Sequence, residues 1–202
     1  MTFSSIRRLS CGIGISGSGC SSREQIRRGN LSKTDLRMTL QAVIKSQYHA
    51  SLTMLRQAID ACPPELWTDS SYVNQFWQVA YHTLFYTDFY LQSSESAFVP
   101  WEHHRPEHNH FTSRSKTPGS ITPYSIDEIR AYCERCSDTI DAAVDRLDLS
   151  APESGFPWYK MSKLEHQFVN LRHIQHHTGQ LTERIRQATG RGIVWVGGSA
   201  GR

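Results

Sequence analysis

Residues 171–186, LRHIQHHTGQLTERIR, place three histidines within five positions of a segment whose apolar residues recur with helical spacing. The apolar sector of this predicted helix consists of Leu171, Ile174, Leu181 and Ile185. His173 and His177 are four residues apart, so they lie one turn apart on one face, at the border of that sector. His176 points roughly to the opposite side, towards solvent or an interface. The stretch therefore predicts a helix that carries a histidine pair beside its buried face.

A histidine pair at this spacing can bind one metal ion, but one helix cannot complete the site. Imidazole nitrogens bind zinc at about 2.0–2.1 Å, and a third ligand must project from a neighbouring helix. His82 is the best candidate, because it interrupts an apolar seam of another predicted helix. His49 and His166 are weaker candidates. The alternative is that each buried histidine has a hydrogen-bond partner and no further role.

Four long helices are predicted, at about 38–61, 71–92, 126–147 and 163–189. No strand pattern competes, apart from the short IVWV at 193–196. The second and third helices are separated by a connection of about thirty residues, 93–124. A four-helix bundle with one long crossover between helices two and three fits these lengths, so the predicted fold class is all-α.

The predicted helix ends carry capping signals. The first helix stops before Pro63, since proline disrupts a helix interior. A serine three residues before a glutamate, the capping-box signature, occurs at Ser125 with Glu128 and at Ser162 with Glu165. Gly190 is suited to the left-handed position that ends a helix.

A second histidine cluster lies in the long connection, in WEHHRPEHNHF at 101–111. Its histidines are His103, His104, His108 and His110. The polar, proline-containing loop offers no rigid scaffold, so a surface loop near the mouth of the bundle site is favoured over a dedicated metal site. We expect Trp101, His103 and His104 to roof a cavity beside the metal, where they contact a substrate or restrict access.

Charge is distributed unevenly along the 202 residues. The chain carries +3, of which residues 1–37 carry +5 and the remainder −2. A slightly acidic folded body is a poor candidate for a general nucleic-acid binder. No run of eighteen apolar residues is present, so no membrane span is predicted. We therefore expect a cytoplasmic protein without a nucleic-acid or membrane partner.

Residues 1–37 are rich in serine, glycine and arginine and lack a sustained apolar period. We expect them to form a disordered extension. Met38 is an alternative natural start, because the first helical pattern begins there. The predicted organisation is an extension at 1–37, a bundle at 38–192 and a tail at 193–202.

Five cysteines are scattered along the chain, and the odd number argues against a disulfide framework. Cys133 and Cys136 form a CxxC pair within a predicted helix, with no second pair. Two small residues one turn apart, at least one of them packed inside, are favoured over a redox or metal role.

The text HIQHHTGQ at 173–180 resembles the HxxxHxGQ of helix four in the DinB/YfiT-like metalloprotein superfamily. The inward histidine of the second helix and the long link that follows also fit the layout of that family. The resemblance covers residues 38–189, whereas residues 1–37 lie outside it.

The resemblance implies that His82, His173 and His177 are metal ligands. It also implies a bundle with up-down-down-up order and a homodimer. Zinc is the expected ion, with nickel and iron as alternatives, since imidazole suits all three. Some members of the family use the metal to activate a low-molecular-weight thiol for transfer or isomerisation. The family's damage-inducible name implies no DNA contact.

Two functions remain open at this point. Three neutral imidazoles leave an ion with its 2+ charge and an open position, where a bound water or thiol loses its proton near neutral pH. The first function is a metal-dependent transferase acting on a small thiol and an electrophile, or a hydrolase-like enzyme if water is used. The second is a non-catalytic bundle whose metal is structural. A fourth protein ligand would favour the second.

Overall fold

The computed structural model describes residues 33–108 and 122–198, which contain five α-helices and no strand. The helices are α1 (Lys33–Asp60), α2 (Pro64–Trp67), α3 (Phe76–Tyr90), α4 (Ile126–Arg146) and α5 (Lys163–Thr189). Two 3-10 turns, Glu95–Ala97 and Pro106–His108, lie between α3 and α4. The predicted all-α class is confirmed. Within the described ranges, no helix combines the length and the apolar character needed to cross a bilayer.

The long helices pack in antiparallel pairs. Lys45 of α1 contacts Asp145 near the end of α4, while Arg130 near the start of α4 contacts Asp60 at the end of α1. These two ion pairs, at opposite ends of both helices, show that α1 and α4 run in opposite directions.

Helices α3 and α5 form the second antiparallel pair. The side chain of Asn170 donates to the carbonyl of Thr87 at 3.1 Å, and Arg184 donates to the carbonyl of Asn74 at 2.9 Å. Later residues of α5 therefore face earlier residues of α3. This register places the middle of α5 opposite His82.

The capping predictions for α4 and α5 agree with the structure. The Ser125 hydroxyl accepts from the Glu128 amide, and the Glu128 carboxylate accepts from the Ser125 amide at 2.7 Å. The Ser162 hydroxyl accepts from the amide of Glu165 at 3.1 Å. Gly190 ends α5 in the left-handed conformation, with φ of 72°. Both helices therefore begin where the local sequence signals place them.

The predicted start of the helix that carries His82 is wrong. This helix, α3, begins at Phe76 and not near residue 71. The Gln75 amide donates to the Gln78 side chain at 2.7 Å and makes Gln75 the capping residue. The Asp69 carboxylate accepts from the Ser71 amide at 2.8 Å, which stabilises a turn before the helix.

The ends of the chain also differ from the predicted pattern. Helix α1 begins at Lys33, so residues 33–37, assigned above to the extension, are helical; residues 1–32 lie outside the described residues. The IVWV segment forms no strand. Its Val194 amide donates to Gln57 of α1 at 2.8 Å, and this tail follows α1 as an irregular chain.

The core between α3 and α4 is strongly aromatic. Trp77, Tyr81 and Tyr132 are buried, and Tyr124 before α4 stacks on Tyr81 with ring centroids 4.7 Å apart. Trp101 from the long connection stacks on Tyr132 at 4.5 Å, with nearly parallel rings. The described start of this connection is therefore packed into the bundle.

Candidate metal centre

The antiparallel packing of α3 and α5 brings His82, His173 and His177 together. One ring nitrogen from each lies within 4.8 Å of the other two. Two of the residues come from successive turns of α5 and the third from the facing turn of α3. The structure thus assembles the three histidines that the sequence analysis selected.

The spacing of these nitrogens fits a bound metal ion. The Nε2 atoms of His82 and His173 are 3.1 Å apart. Two imidazole ligands of a tetrahedral zinc ion lie about 3.3 Å apart, given Zn–N bonds of about 2.05 Å. The rings are also inclined to one another, with the His177 ring nearly perpendicular to the other two. The donor set therefore suits a divalent transition-metal ion.

Burial keeps two of these imidazoles neutral near pH 7. His177 is 6% exposed and the other two are partly buried. Desolvation, assisted by the nearby His177 and His176, lowers the pKa of His173 to about 3. Desolvation also lowers the pKa of His177 below its usual range. Metal binding requires the neutral ring, so burial prepares these side chains for coordination.

A glutamine on the same helix contacts the site from outside. The side-chain oxygen of Gln180 lies 2.8 Å from Nδ1 of His177, and its nitrogen lies 3.1 Å from Nε2 of His176. The predicted site does not include Gln180, and His176 is predicted to point towards solvent or an interface. His176 is exposed, as expected. Gln180 follows His177 by three residues and His176 by four. Side chains at these two spacings are neighbours on a helix, so the spacing is the sequence signal that predicts both contacts.

An aromatic residue borders the triad on α3. The Tyr86 ring lies 4.7 Å from the ring of His82 and 5.7 Å from that of His173. Across residues 33–108 and 122–198, no cysteine, carboxylate or further histidine joins the three.

The weaker candidates lie elsewhere. His49 contacts Asp141 of α4 at 2.9 Å. His166 is fully buried and is enclosed by the rings of Tyr90, Phe156 and Tyr159 at 4.8–5.0 Å. It precedes His173 by seven residues, about 10.5 Å along the helix. Neither residue belongs to the described cluster.

The predicted roof is wrong for Trp101, because this side chain is buried in the core against Tyr132. His104 stacks on Phe85 at 5.3 Å, and His103 is exposed beside Glu102. A large apolar indole is more stable in the core than over an open site.

The loop histidines form no metal cluster within the described part of the chain. His108 is buried against Trp77 and Tyr124 with centroids 5.0 and 4.8 Å away. His110 lies outside the described residues.

The CxxC pair has the structural role that was favoured. The Cys133 thiol approaches the Leu52 carbonyl of α1, and the Cys136 thiol approaches the Leu84 carbonyl of α3. The two thiols therefore face different helices. Burial raises the pKa of Cys133 to about 12, so thiolate chemistry is disfavoured.

Comparison with known protein families identifies a match over most of the chain. The family model described as DinB superfamily matches residues 47–181, a range that contains all three histidines of the cluster. No curated protein and no solved structure matches the chain significantly.

Proposed function

Because the chain belongs to the DinB superfamily, we propose that His82, His173 and His177 bind a divalent metal ion and leave it open to a small ligand. The observation that carries this proposal is the convergence of three ring nitrogens within 4.8 Å from two antiparallel helices. The family membership and the spacing support it independently, since one rests on sequence and the other on packing.

Zinc is the first choice of ion. Three imidazoles are a common donor set for zinc sites that keep one position for water or substrate. Nickel and iron suit the same ligands, so elemental analysis of the purified protein decides among them. Three protein ligands leave a tetrahedral site incomplete, and this supports an open position.

For the reaction, we propose transfer between a low-molecular-weight thiol and an electrophile. When bound, the ion supplies Lewis acidity that lowers the pKa of a thiol ligand. The protein's own residues supply three imidazole donors, and Tyr86 limits the space beside them. The proposed reaction rests on the family resemblance, whereas the open site rests on the ligand number.

A structural metal is the second candidate function. The triad joins α3 to α5, so a bound ion would cross-link two helices even without catalysis. The two functions differ in one measurable property, which is whether small ligands reach the ion. The homodimer, the cytoplasmic location and the lack of a nucleic-acid partner stay predictions.

Cobalt substitution tests both functions in one experiment. The purified protein is stripped of metal, loaded with Co²⁺ and titrated with a small thiol while the visible spectrum is recorded. We expect a change in the spectrum at an open site, and metal-dependent turnover in a screen that combines thiols with alkylating electrophiles. The His176→Ala variant serves as a matched control, because it removes an exposed histidine of the same helix.

A cobalt spectrum that ignores thiols and other small ligands would support the structural function. A protein that binds neither zinc nor cobalt would remove both. A spectrum that responds to thiols without any turnover would retain the open site and contradict the transferase.

A further inference from the structure

Gln180 of α5 contacts His177, one of the three proposed metal ligands, and this contact extends the proposed function. We infer that Gln180 is a positioning residue that holds His177 in the tautomer able to bind metal. The inference rests on the proposed metal site, but the contacts that carry it belong to the protein alone.

The tautomer of His177 follows from its partner. The Gln180 oxygen, 2.8 Å from Nδ1 of His177, can only accept a hydrogen bond. Nδ1 must therefore carry the proton and donate it. In a neutral imidazole the other nitrogen, Nε2, is then unprotonated and carries the lone pair that can coordinate a metal ion. This is the nitrogen left to join His82 and His173.

The amide nitrogen of Gln180 contacts His176. With its oxygen towards His177, the Gln180 amide directs its nitrogen at Nε2 of His176, 3.1 Å away. Because an amide nitrogen only donates, Nε2 of His176 is the acceptor. A flipped amide would donate to Nδ1 of His177, and this would move the ring proton to Nε2, where it would block coordination. The exposed His176 ring can accept or donate at Nε2, so it fits either orientation of the amide, and the orientation that supports coordination is the one that places the oxygen at His177.

The other α5 ligand lacks comparable support. Nδ1 of His173 is buried and has no hydrogen-bond partner among the described residues. Metal-binding histidines usually donate their second nitrogen to a fixed acceptor, and loss of that acceptor costs about 10- to 100-fold in metal affinity. Of the two ligands on α5, His177 is the one with an orienting partner.

The test separates the tautomer from metal binding. Gln180 is exposed, so its substitution should leave the fold intact. The variants are Gln180→Met, which removes the acceptor, and Gln180→Glu, which keeps it. Gln187→Met is the matched control, since Gln187 is an exposed glutamine two turns further along α5. The His177 tautomer is read from nitrogen chemical shifts of metal-free protein, and zinc affinity from competition with a chromophoric chelator.

In the parent protein and in Gln187→Met, we expect His177 to carry its proton on Nδ1. In Gln180→Met, the Nε2-protonated form should increase and zinc affinity should fall about 10- to 100-fold. Gln180→Glu should restore both properties, because a carboxylate accepts the same hydrogen bond.

An unchanged tautomer in Gln180→Met, with zinc affinity within about twofold of the control, would overturn the inference. If the parent protein binds no zinc, the proposed function fails. The tautomer measurement on metal-free protein still decides the role of Gln180 in that case.

Discussion

At the scale of single residues, the candidate site depends on histidines that are kept neutral by burial. His173 and His177 both have lowered pKa values, and desolvation is the largest cause for each. The same helix carries the exposed His176, which is adjacent in sequence to His177 but outside the cluster. His176 and His177 carry the same imidazole group, and their different directions around the helix axis place His177 in the cluster and His176 in solvent.

Replacing each residue of the triad by alanine tests this separation. We expect His82→Ala, His173→Ala and His177→Ala each to lower the bound metal per chain sharply, because two ligands remain. His176→Ala should keep the parental stoichiometry, as measured by elemental analysis after dialysis. Metal binding should also weaken in acid, since each ligand must lose its proton to coordinate. An empty site in His176→Ala together with a full one in His177→Ala would contradict the observed register.

His166 gives a prediction for stability against pH. Burial, with a smaller contribution from Lys163, lowers the pKa of His166 to about 4. Neither ring nitrogen has a hydrogen-bond partner among the described residues. In the unfolded chain the pKa returns to about 6.5, so between these values the unfolded state binds more protons and stability falls as pH falls.

We therefore predict that His166→Phe reduces the loss of stability between pH 7 and pH 5 by roughly 1–2 kcal/mol. Urea unfolding at the two pH values measures the effect on metal-free protein. His176→Phe is the control, because it makes the same substitution at a solvent-exposed histidine of the same helix. Equal losses in His166→Phe and the parent protein would show that His166 is accessible to protons in the folded state.

At the scale of elements, α5 is positioned by the loop that precedes it. Lys163, at the start of α5, donates to the carbonyls of Gln92 and Ser93 beyond α3 at 3.2 and 2.9 Å. Gly155 has φ of 84° and lies against the carbonyl of Ser93. These contacts join the end of α3 to the start of α5 and so help to set the register of the histidines.

Two glycine substitutions should change stability in opposite directions. In Gly155→Ala the added Cβ would collide with the Ser93 carbonyl oxygen, and a positive φ strains alanine, so we expect a loss of at least about 2 kcal/mol. In Gly179→Ala the Cβ meets no atom within 4 Å, and helix propensity predicts a gain of about 0.5–1 kcal/mol. Urea denaturation measures both. Parental stability in Gly155→Ala would show that the loop can shift without cost.

At the scale of the whole molecule, the four long helices bury one continuous core, from Ile44 in α1 to Ile185 in α5. The match to the DinB superfamily falls within this part of the chain. The three-histidine cluster lies on the α3–α5 seam, whereas the aromatic core lies mainly between α3 and α4. Changes at the site can therefore be made without removing the main aromatic core.

Truncation tests how far the fold depends on the N-terminal segment. A chain that starts at Lys33, where α1 begins, should keep the parental melting temperature and metal content. The reason is that residues 1–32 show no periodic apolar face in sequence. Differential scanning calorimetry and elemental analysis check both properties. A fall of several degrees would show that the segment stabilises the bundle.

The sequence by itself determined the four long helices, apart from the starts of α1 and α3, and the face of α5 that carries the histidine pair. Helical spacing and capping are local properties, so the Ser162 start and the Gly190 end of α5 follow from a few neighbouring residues. The choice of His82 as the third member also came from sequence, through an interrupted apolar seam and the family resemblance. In the folded chain its ring lies beside those of His173 and His177.

The tertiary structure decided what depends on contacts between segments. Trp101 is a core residue because its ring stacks on Tyr132 of α4. The two residues are far apart in sequence, so no local sequence pattern predicts this contact. Burial lowers the pKa of His173 only once α3 and α5 pack together, since desolvation requires a neighbour. The role of Gln180 depends on side-chain orientation as well as spacing. Spacing alone allows the contact with His177, and the folded geometry selects it.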